Sequence, residues 1–166
     1  MQQLLLIRHG IAEDAAPGQP DADRALTARG RERTAAVAAD LAGLVERLDR
    51  LVSSDLLRAR ETADLIAEAV AVGEREVFPG LAPGADPGAV YTRLAGDTDV
   101  DTIALVGHEP QMNLLLGMAL TGEAIGPARF RKAGVALVEF PGPLRPGAGR
   151  LAAFLPPALG FRRRGR

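Results

Sequence analysis

Two hydrophobic patterns organise this chain. Unbroken apolar runs mark buried strands. Leu4-Leu5-Leu6-Ile7 runs straight into Arg8-His9-Gly10, and Thr102-Ile103-Ala104-Leu105-Val106 runs into Gly107-His108. Runs of this kind suit strands covered on both faces in a parallel sheet. Shorter strands are predicted at Leu51-Val52-Ser53 and Glu76-Val77-Phe78, and two last ones over 134–140 and 151–155, joined by a turn-rich stretch. Helical spacing fills the intervals. Thr27 offers an N-cap, and Val37, Leu41, Leu44 and Leu48 predict one long amphipathic helix behind it. Ser54 or Asp55 caps a second helix that ends near Gly73, and Asp86 caps a third through Val90, Leu94 and Ala95. A fourth runs through Met112, Leu115, Leu116 and Ala119 and is closed by Gly122. Gly30 falls in the first turn of the first helix, a costly choice unless backbone must come close to something there. Strand and helix alternate over most of the length, which argues for a layered α/β domain. We assign residues 1–160 to it and 161–166 to a basic, frayed tail.

Composition narrows the picture by exclusion. The 166 residues are 47% hydrophobic and 25% charged, ordinary for a globular chain with a real core. Twenty basic and 21 acidic residues leave a net charge of −1, so no global field draws nucleic acid or a membrane surface. A contact through Arg162-Arg163-Arg164 rests on the tail alone, and solvation is the ordinary fate of so short a charge run. Zero cysteines exclude disulfides and thiolate metal sites. The first apolar stretch is too short for a signal peptide or membrane span, and the expectation is a cytoplasmic enzyme.

The chemistry gathers at the strand ends, where open α/β sheets bind their ligands. Both histidines of the chain, His9 and His108, close apolar strands. A lone histidine there reads as a satisfied structural residue. Arg8 beside it, Gly10 permitting close backbone approach, and a second histidine in the equivalent place turn the reading toward function. A metal is the rival, but two histidines need carboxylate help and Arg8 would repel a cation. Arg58 lies in the first turn of the second helix, where a cation opposes the helix dipole unless an anion binds. Alone it reads as a surface arginine paired with Asp55 or Glu61. With Arg8 and the histidines it reads as part of a phosphate clamp, since the guanidinium fork matches a tetrahedral oxyanion. Thr62 either orients Arg58 or packs, and packing is the simpler reading.

These residues resemble a known family. Arg8-His9-Gly10, the stretch Ser54-x-x-x-Arg58-Ala59-x-x-Thr62, and the late Gly107-His108 are similar to the histidine phosphatase superfamily, which includes the phosphoglycerate mutases. Leu26-Thr27-x-x-Gly30, Leu81-x-Pro83 and the glycine-led strand at Gly134 resemble its short branch of phosphohistidine phosphatases, the SixA type. The resemblance implies a three-layer domain with a mostly parallel central sheet and helices on both faces. It implies His9 as a nucleophile that forms a covalent phosphohistidine, with Arg8, Gly10, Arg58 and His108 around the phosphoryl oxygens and no metal or cofactor.

Two departures carry weight. Asp55 stands where the family commonly has proline, which alters the turn before Arg58. The region 77–81, where ester-cleaving members carry a glutamate acid, holds no carboxylate. Glu74, Glu76, Asp86 and Glu109 are nearby in sequence, and Glu109 is the candidate acid. A missing acid handicaps an alcohol leaving group more than a phosphohistidine imidazole. No insertion is long enough to form a cap over the site, and an open rim admits a folded protein. The expected activity is therefore metal-independent hydrolysis of protein phosphohistidine. A small-molecule phosphomonoesterase and a non-catalytic phosphate- or phosphoprotein-binding module are the alternatives.

Overall fold

In the computed structural model, which describes residues 1–97 and 99–157, one six-stranded sheet carries the whole chain. The proposed domain limit at 160 and the tail 161–166 lie outside the described residues. The strands are β1 (Gln2–Arg8), β2 (Arg47–Ser53), β3 (Ala71–Val77), β4 (Thr102–Gly107), β5 (Val135–Phe140) and β6 (Arg150–Leu155). Their order across the sheet is β3-β2-β4-β1-β5-β6. The pairs β2–β3, β2–β4 and β1–β4 are parallel, while β5 runs antiparallel to β1 and β6 antiparallel to β5.

Four α-helices cover the faces: α1 (Ala28–Leu41), α2 (Leu57–Ala69), α3 (Pro87–Leu94) and α4 (Gln111–Thr121). Successive strand residues point to opposite faces, so the run in β1 splits. Leu4 and Leu6 pack with Tyr91 and Leu94 of α3 and Met112, Leu115 and Leu116 of α4. Leu5 and Ile7 pack with Val37 and Leu41 of α1 and Ala59 and Ile66 of α2. All four residues of the run are at most 1% exposed, which is why it shows no alternation. Two cores on either side of one sheet make the three-layer α/β fold that the sequence leads one to expect.

The first helix is shorter than predicted. It stops at Leu41, Leu44 is exposed, and Leu48 lies in β2. Leu48 is buried as a strand residue beside Leu51, and its spacing from Leu41 matched a helix only by coincidence of period. The strand β3 is longer than predicted and begins at Ala71, so α2 ends at Ala69 rather than near Gly73. As an edge strand β3 is largely exposed, and its polar residues hid it from an apolar pattern. Neither Ser54 nor Asp55 is the N-cap of α2. That position is Leu56, whose N–H meets the Ser54 hydroxyl at 3.3 Å. The Thr27 and Asp86 caps form as predicted, accepting from the N–H of Gly30 and Gly88 respectively.

Gly30 has the reason its position demanded. A Cβ there would stand 2.0 Å from the Ile11 carbonyl oxygen, in the loop that leaves the end of β1. The start of α1 is thereby held against the residues that follow His9. Gly30→Ala should cost about 1–3 kcal/mol of stability through this overpacking, read as a lower urea midpoint with an unchanged slope.

Candidate active site

The site is built by register. β1 and β4 run parallel with Arg8 opposite Gly107, so the next residues of both strands, His9 and His108, emerge side by side. The His9 N–H donates to the Gly107 carbonyl at 2.9 Å, and the imidazole centroids are 4.9 Å apart. Both rings are almost fully buried.

His9 is held by its own backbone neighbour. Its Nδ1 lies 2.7 Å from the Gly10 carbonyl oxygen. A carbonyl only accepts, so Nδ1 carries the proton and Nε2 keeps its lone pair. Facing Nε2 at 3.4 Å is the ammonium of Lys132. Burial, followed by the charges of Lys132 and its other neighbours, pushes the His9 pKa down to about 2. His108 is pushed down to about 4, first by burial and then by Arg58 and Lys132. Its Nε2 sits 2.9 Å from the Ser54 hydroxyl, so the serine expected to cap a helix instead positions a histidine.

Gly10 is engaged within the protein on every side. Its N–H donates to the Thr62 hydroxyl at 3.0 Å, and a Cβ on it would stand 2.4 Å from Thr34 Oγ1. Thr62 in turn donates to the Arg58 carbonyl at 2.7 Å. It is therefore neither simple packing nor a brace for the Arg58 side chain. It ties the turn after β1 to the first turns of α2.

Arg58 is buried, and its guanidinium reaches neither Asp55 nor Glu61. Nη1 donates to the Asp21 carbonyl at 2.7 Å and Nη2 to the Asp21 carboxylate at 2.9 Å. That bond holds the Asp21 carboxyl below the usual range. Glu61 is taken by Arg31 and by the Leu26 N–H. The loop 11–25 thus supplies, through Asp21, a partner that a linear search around Arg58 did not find.

Arg8 and Glu109 grip the backbone of one residue from its two sides. Arg8 Nη1 donates to the Phe130 carbonyl at 2.7 Å, and Glu109 Oε1 accepts from the Phe130 N–H at 2.8 Å. The Phe130 ring is fully buried, edge-on to Phe154. Farther along, Ala133 sits at φ 60°, in the left-handed region that costs a non-glycine residue about 1 kcal/mol. Its N–H donates to the carbonyls of both Arg8 and His9 at 3.1 Å, which holds it there. Lys132, between these anchors, is delivered to His9. Burial, then Arg8, Arg58 and Arg24, pushes its pKa down to about 8.

The structure gathers His9, His108 and Arg58 as expected, with Arg8 anchored beside them. It adds Lys132, Asp21, Ser54 and Thr62. Arg129-Phe130-Arg131-Lys132 reads in sequence as a solvated charge run, and only the adjoining Ala133-Gly134 hinted that it approaches the site. Among the described residues no group of three or more His, Cys, Asp or Glu side chains is placed to hold a metal ion, and no helix is long and apolar enough to cross a membrane.

The chain is similar to known proteins in sequence and in fold. The family described as the histidine phosphatase superfamily, branch 1, matches residues 4–82. The chain is 36% identical over 154 residues to an uncharacterized protein of Picosynechococcus sp., covering 91% of this chain and 89% of that one. It is 28% identical over 139 residues to the phosphohistidine phosphatase SixA of Escherichia coli, covering 82% of this chain and 84% of that one. Among solved structures, the protein histidine phosphatase SixA complexed with tungstate superimposes with a TM-score of 0.83 at 28% identity, over 94% of this chain and 97% of that one. Family and relatives together support a phosphatase hydrolase, which acts on a phosphorylated substrate. The chain belongs to the histidine phosphatase superfamily, and within it is similar to SixA.

Burying two uncharged histidines has a thermodynamic consequence. Unfolded, each binds a proton near pH 6.5; folded, each resists it down to about 4 or 2. The unfolded state therefore binds more protons below 6.5, and stability falls as pH drops from 6.5 toward 4. The slope should approach about 1.4 kcal/mol per pH unit for each histidine. Urea unfolding at pH 7, 6 and 5 measures it, and the double variant His9→Gln/His108→Gln should flatten it.

Proposed function

We propose that this protein is a phosphohistidine phosphatase that works through a covalent phosphohistidine on His9. The observation that carries the reading is the fixed tautomer of His9, with Nδ1–H on the Gly10 carbonyl and the Nε2 lone pair facing a cluster of cations.

In the first half-reaction the Nε2 lone pair forms a bond to phosphorus. The bond from phosphorus to the leaving imidazole nitrogen of the substrate breaks, and its electron pair stays on that nitrogen, which takes a proton from solvent water. In the second, a water oxygen attacks the same phosphorus and releases one proton to solvent, which replaces the one taken in the first step. The phosphorus–Nε2 bond breaks with its electron pair returning to Nε2, and phosphate leaves with His9 restored. Phosphoryl transfer needs mainly in-line positioning and stabilisation of the equatorial oxygens. Arg8, Arg58, His108 and Lys132 supply donors and positive charge for them. Gly10 contributes by fixing His9, and Glu109 by bracing the loop that carries Lys132. The relative solved with tungstate, a tetrahedral oxyanion, is consistent with such a pocket.

The substrate class follows from where the carboxylates are. Glu109 is bound to a backbone N–H, and Asp21 is held ionised by Arg58, so neither is set to protonate an alcohol oxygen. A phosphoramidate leaving group tolerates that arrangement better than an ester does. One observation favours the phosphomonoesterase reading: Lys132, titrating at about 8 beside His9, is a proton donor within the site.

Phosphate release from a phosphohistidine peptide and from an aryl phosphate, measured side by side with chelator present, tests the assignment. The expected result is preference for the phosphohistidine peptide, a trapped phospho-His9, and a loss of about 10⁴-fold or more in His9→Ala. Better ester hydrolysis, lost in Lys132→Met, would establish the esterase instead. Binding of phosphate without turnover on either would establish a binding module.

The acid side of the pH profile should carry no limb from His9, since its pKa lies far below 6.5. The Lys132 charge is present below about 8 and lost as pH rises through it. kcat/KM should therefore decline above pH 8, and Lys132→Arg should move that limb upward.

A further inference from the structure

Beside the phosphoryl site the surface opens into a cavity of about 630 Å³. Five of its lining residues are cations: Arg8, Arg33, Arg129, Arg131 and Lys132. None of the lining residues is acidic. They come from separate elements, with Arg8 on β1, Arg33 on α1 and the other three on the loop between α4 and β5. The loop is shaped for this. Phe130 is buried and gripped at its N–H and carbonyl, so the residues on either side of it, Arg129 and Arg131, face outward and are exposed. Neither they nor Arg33 form an ion pair among the described residues, whereas Arg24, Arg31, Arg50, Arg58, Arg75 and Arg93 all do.

Cations gathered in this way repel one another. Burial is the first cause of the lowered pKa of both Arg8 and Lys132; among the neighbouring cations Arg129 adds to it at Arg8, against Glu109, and Arg8 adds to it at Lys132. In a chain of net charge −1 this cluster is a local excess, and an anion seated in it relieves the repulsion. We propose that the cavity is a second anionic subsite, which receives acidic side chains flanking the phosphohistidine of a partner protein. This deepens the phosphohistidine reading and rests on it. Arg8 and Lys132 belong to both sites, so the acidic flank is read next to the phosphoryl group. The uncharged part of the wall is Ile11, Pro157 and Phe130, whose ring is fully buried, so no aromatic face is offered to stack a nucleotide base. Exposed arginines around an open rim suit a protein surface, where charge complementarity guides encounter and selects partners. A small polyanion is ordinarily enclosed over most of its surface.

Two peptides with the same central phosphohistidine, one flanked by Glu and Asp and one by Gln and Asn, test this on the full chain at low ionic strength. The wild type should favour the acidic peptide by about tenfold in kcat/KM, and high salt should erase the preference. Arg129→Gln/Arg131→Gln should lose the preference while hydrolysing free phosphohistidine as the wild type does. Equal rates on both peptides, or a preference that survives in the variant, would overturn the proposal. Titration calorimetry with the unphosphorylated acidic peptide reads the subsite apart from the chemistry. Binding weakened in the variant supports the subsite even if phosphohistidine is not turned over, which would overturn only the reading of the substrate. Equal binding by both proteins overturns the subsite itself. Competition with tripolyphosphate is the third arm. Tighter binding of it than of the acidic peptide, lost in the variant, would assign the cavity to a small polyanion instead.

Discussion

Everything at the site depends on the parallel pairing of β1 with β4. The two strands pair 99 residues apart in sequence, Leu6 opposite Leu105 and Ile7 opposite Val106 among others, with β2 on the far side of β4. What enforces the register is burial on both faces. Four consecutive apolar residues of β1 alternate between two cores, so a slip of one residue would send each into the wrong layer. Once the register is set, His9 and His108 have no freedom to be elsewhere. The catalytic geometry proposed for this protein is a by-product of packing a sheet correctly.

Electrostatics then gives the paired histidines their character. Arg58, Lys132 and Arg8 act on rings that are already buried, and both effects disfavour a further proton. The result is an imidazole that stays unprotonated through neutral pH, as the proposed nucleophile must, within a field of positive charge. In the proposed reaction the same positive charge serves both ends, since what suppresses imidazolium would also hold a phosphoryl dianion. Asp21 on Arg58 offsets part of this field from a loop that follows His9 in the chain. Asp21 is exposed, whereas the Arg58 it pairs with is buried.

The loop before β5 joins the pocket to its surroundings. Phe130 anchors it in the core, Glu109 and Arg8 hold the Phe130 N–H and carbonyl, and Ala133 hydrogen-bonds the residues at the end of β1. Between these anchors Lys132 is brought to His9, while Arg129 and Arg131 face outward. One short segment thus links the proposed chemistry to the proposed recognition of a partner, and Arg8 belongs to both.

Local sequence determined a good deal of this by itself. Uninterrupted apolar runs define strands covered on both faces, whatever their neighbours, and each run pointed to the polar residue that ends it. Thr27 and Asp86 cap their helices by contacts made within three residues, so they too were legible. Gly30 announced a close approach without saying to what. The misread boundaries at Leu44–Leu48 and in β3 arose where period and exposure mislead, because an edge strand carries little apolar signal. Only the tertiary structure could decide strand order, and with it the partners that lie far away in sequence. Asp21 meets Arg58 across 37 residues, Ser54 meets His108 across 54, and Lys132 meets His9 across 123. Such pairings follow from how the whole core closes, a condition on all the elements at once that no local window of sequence contains.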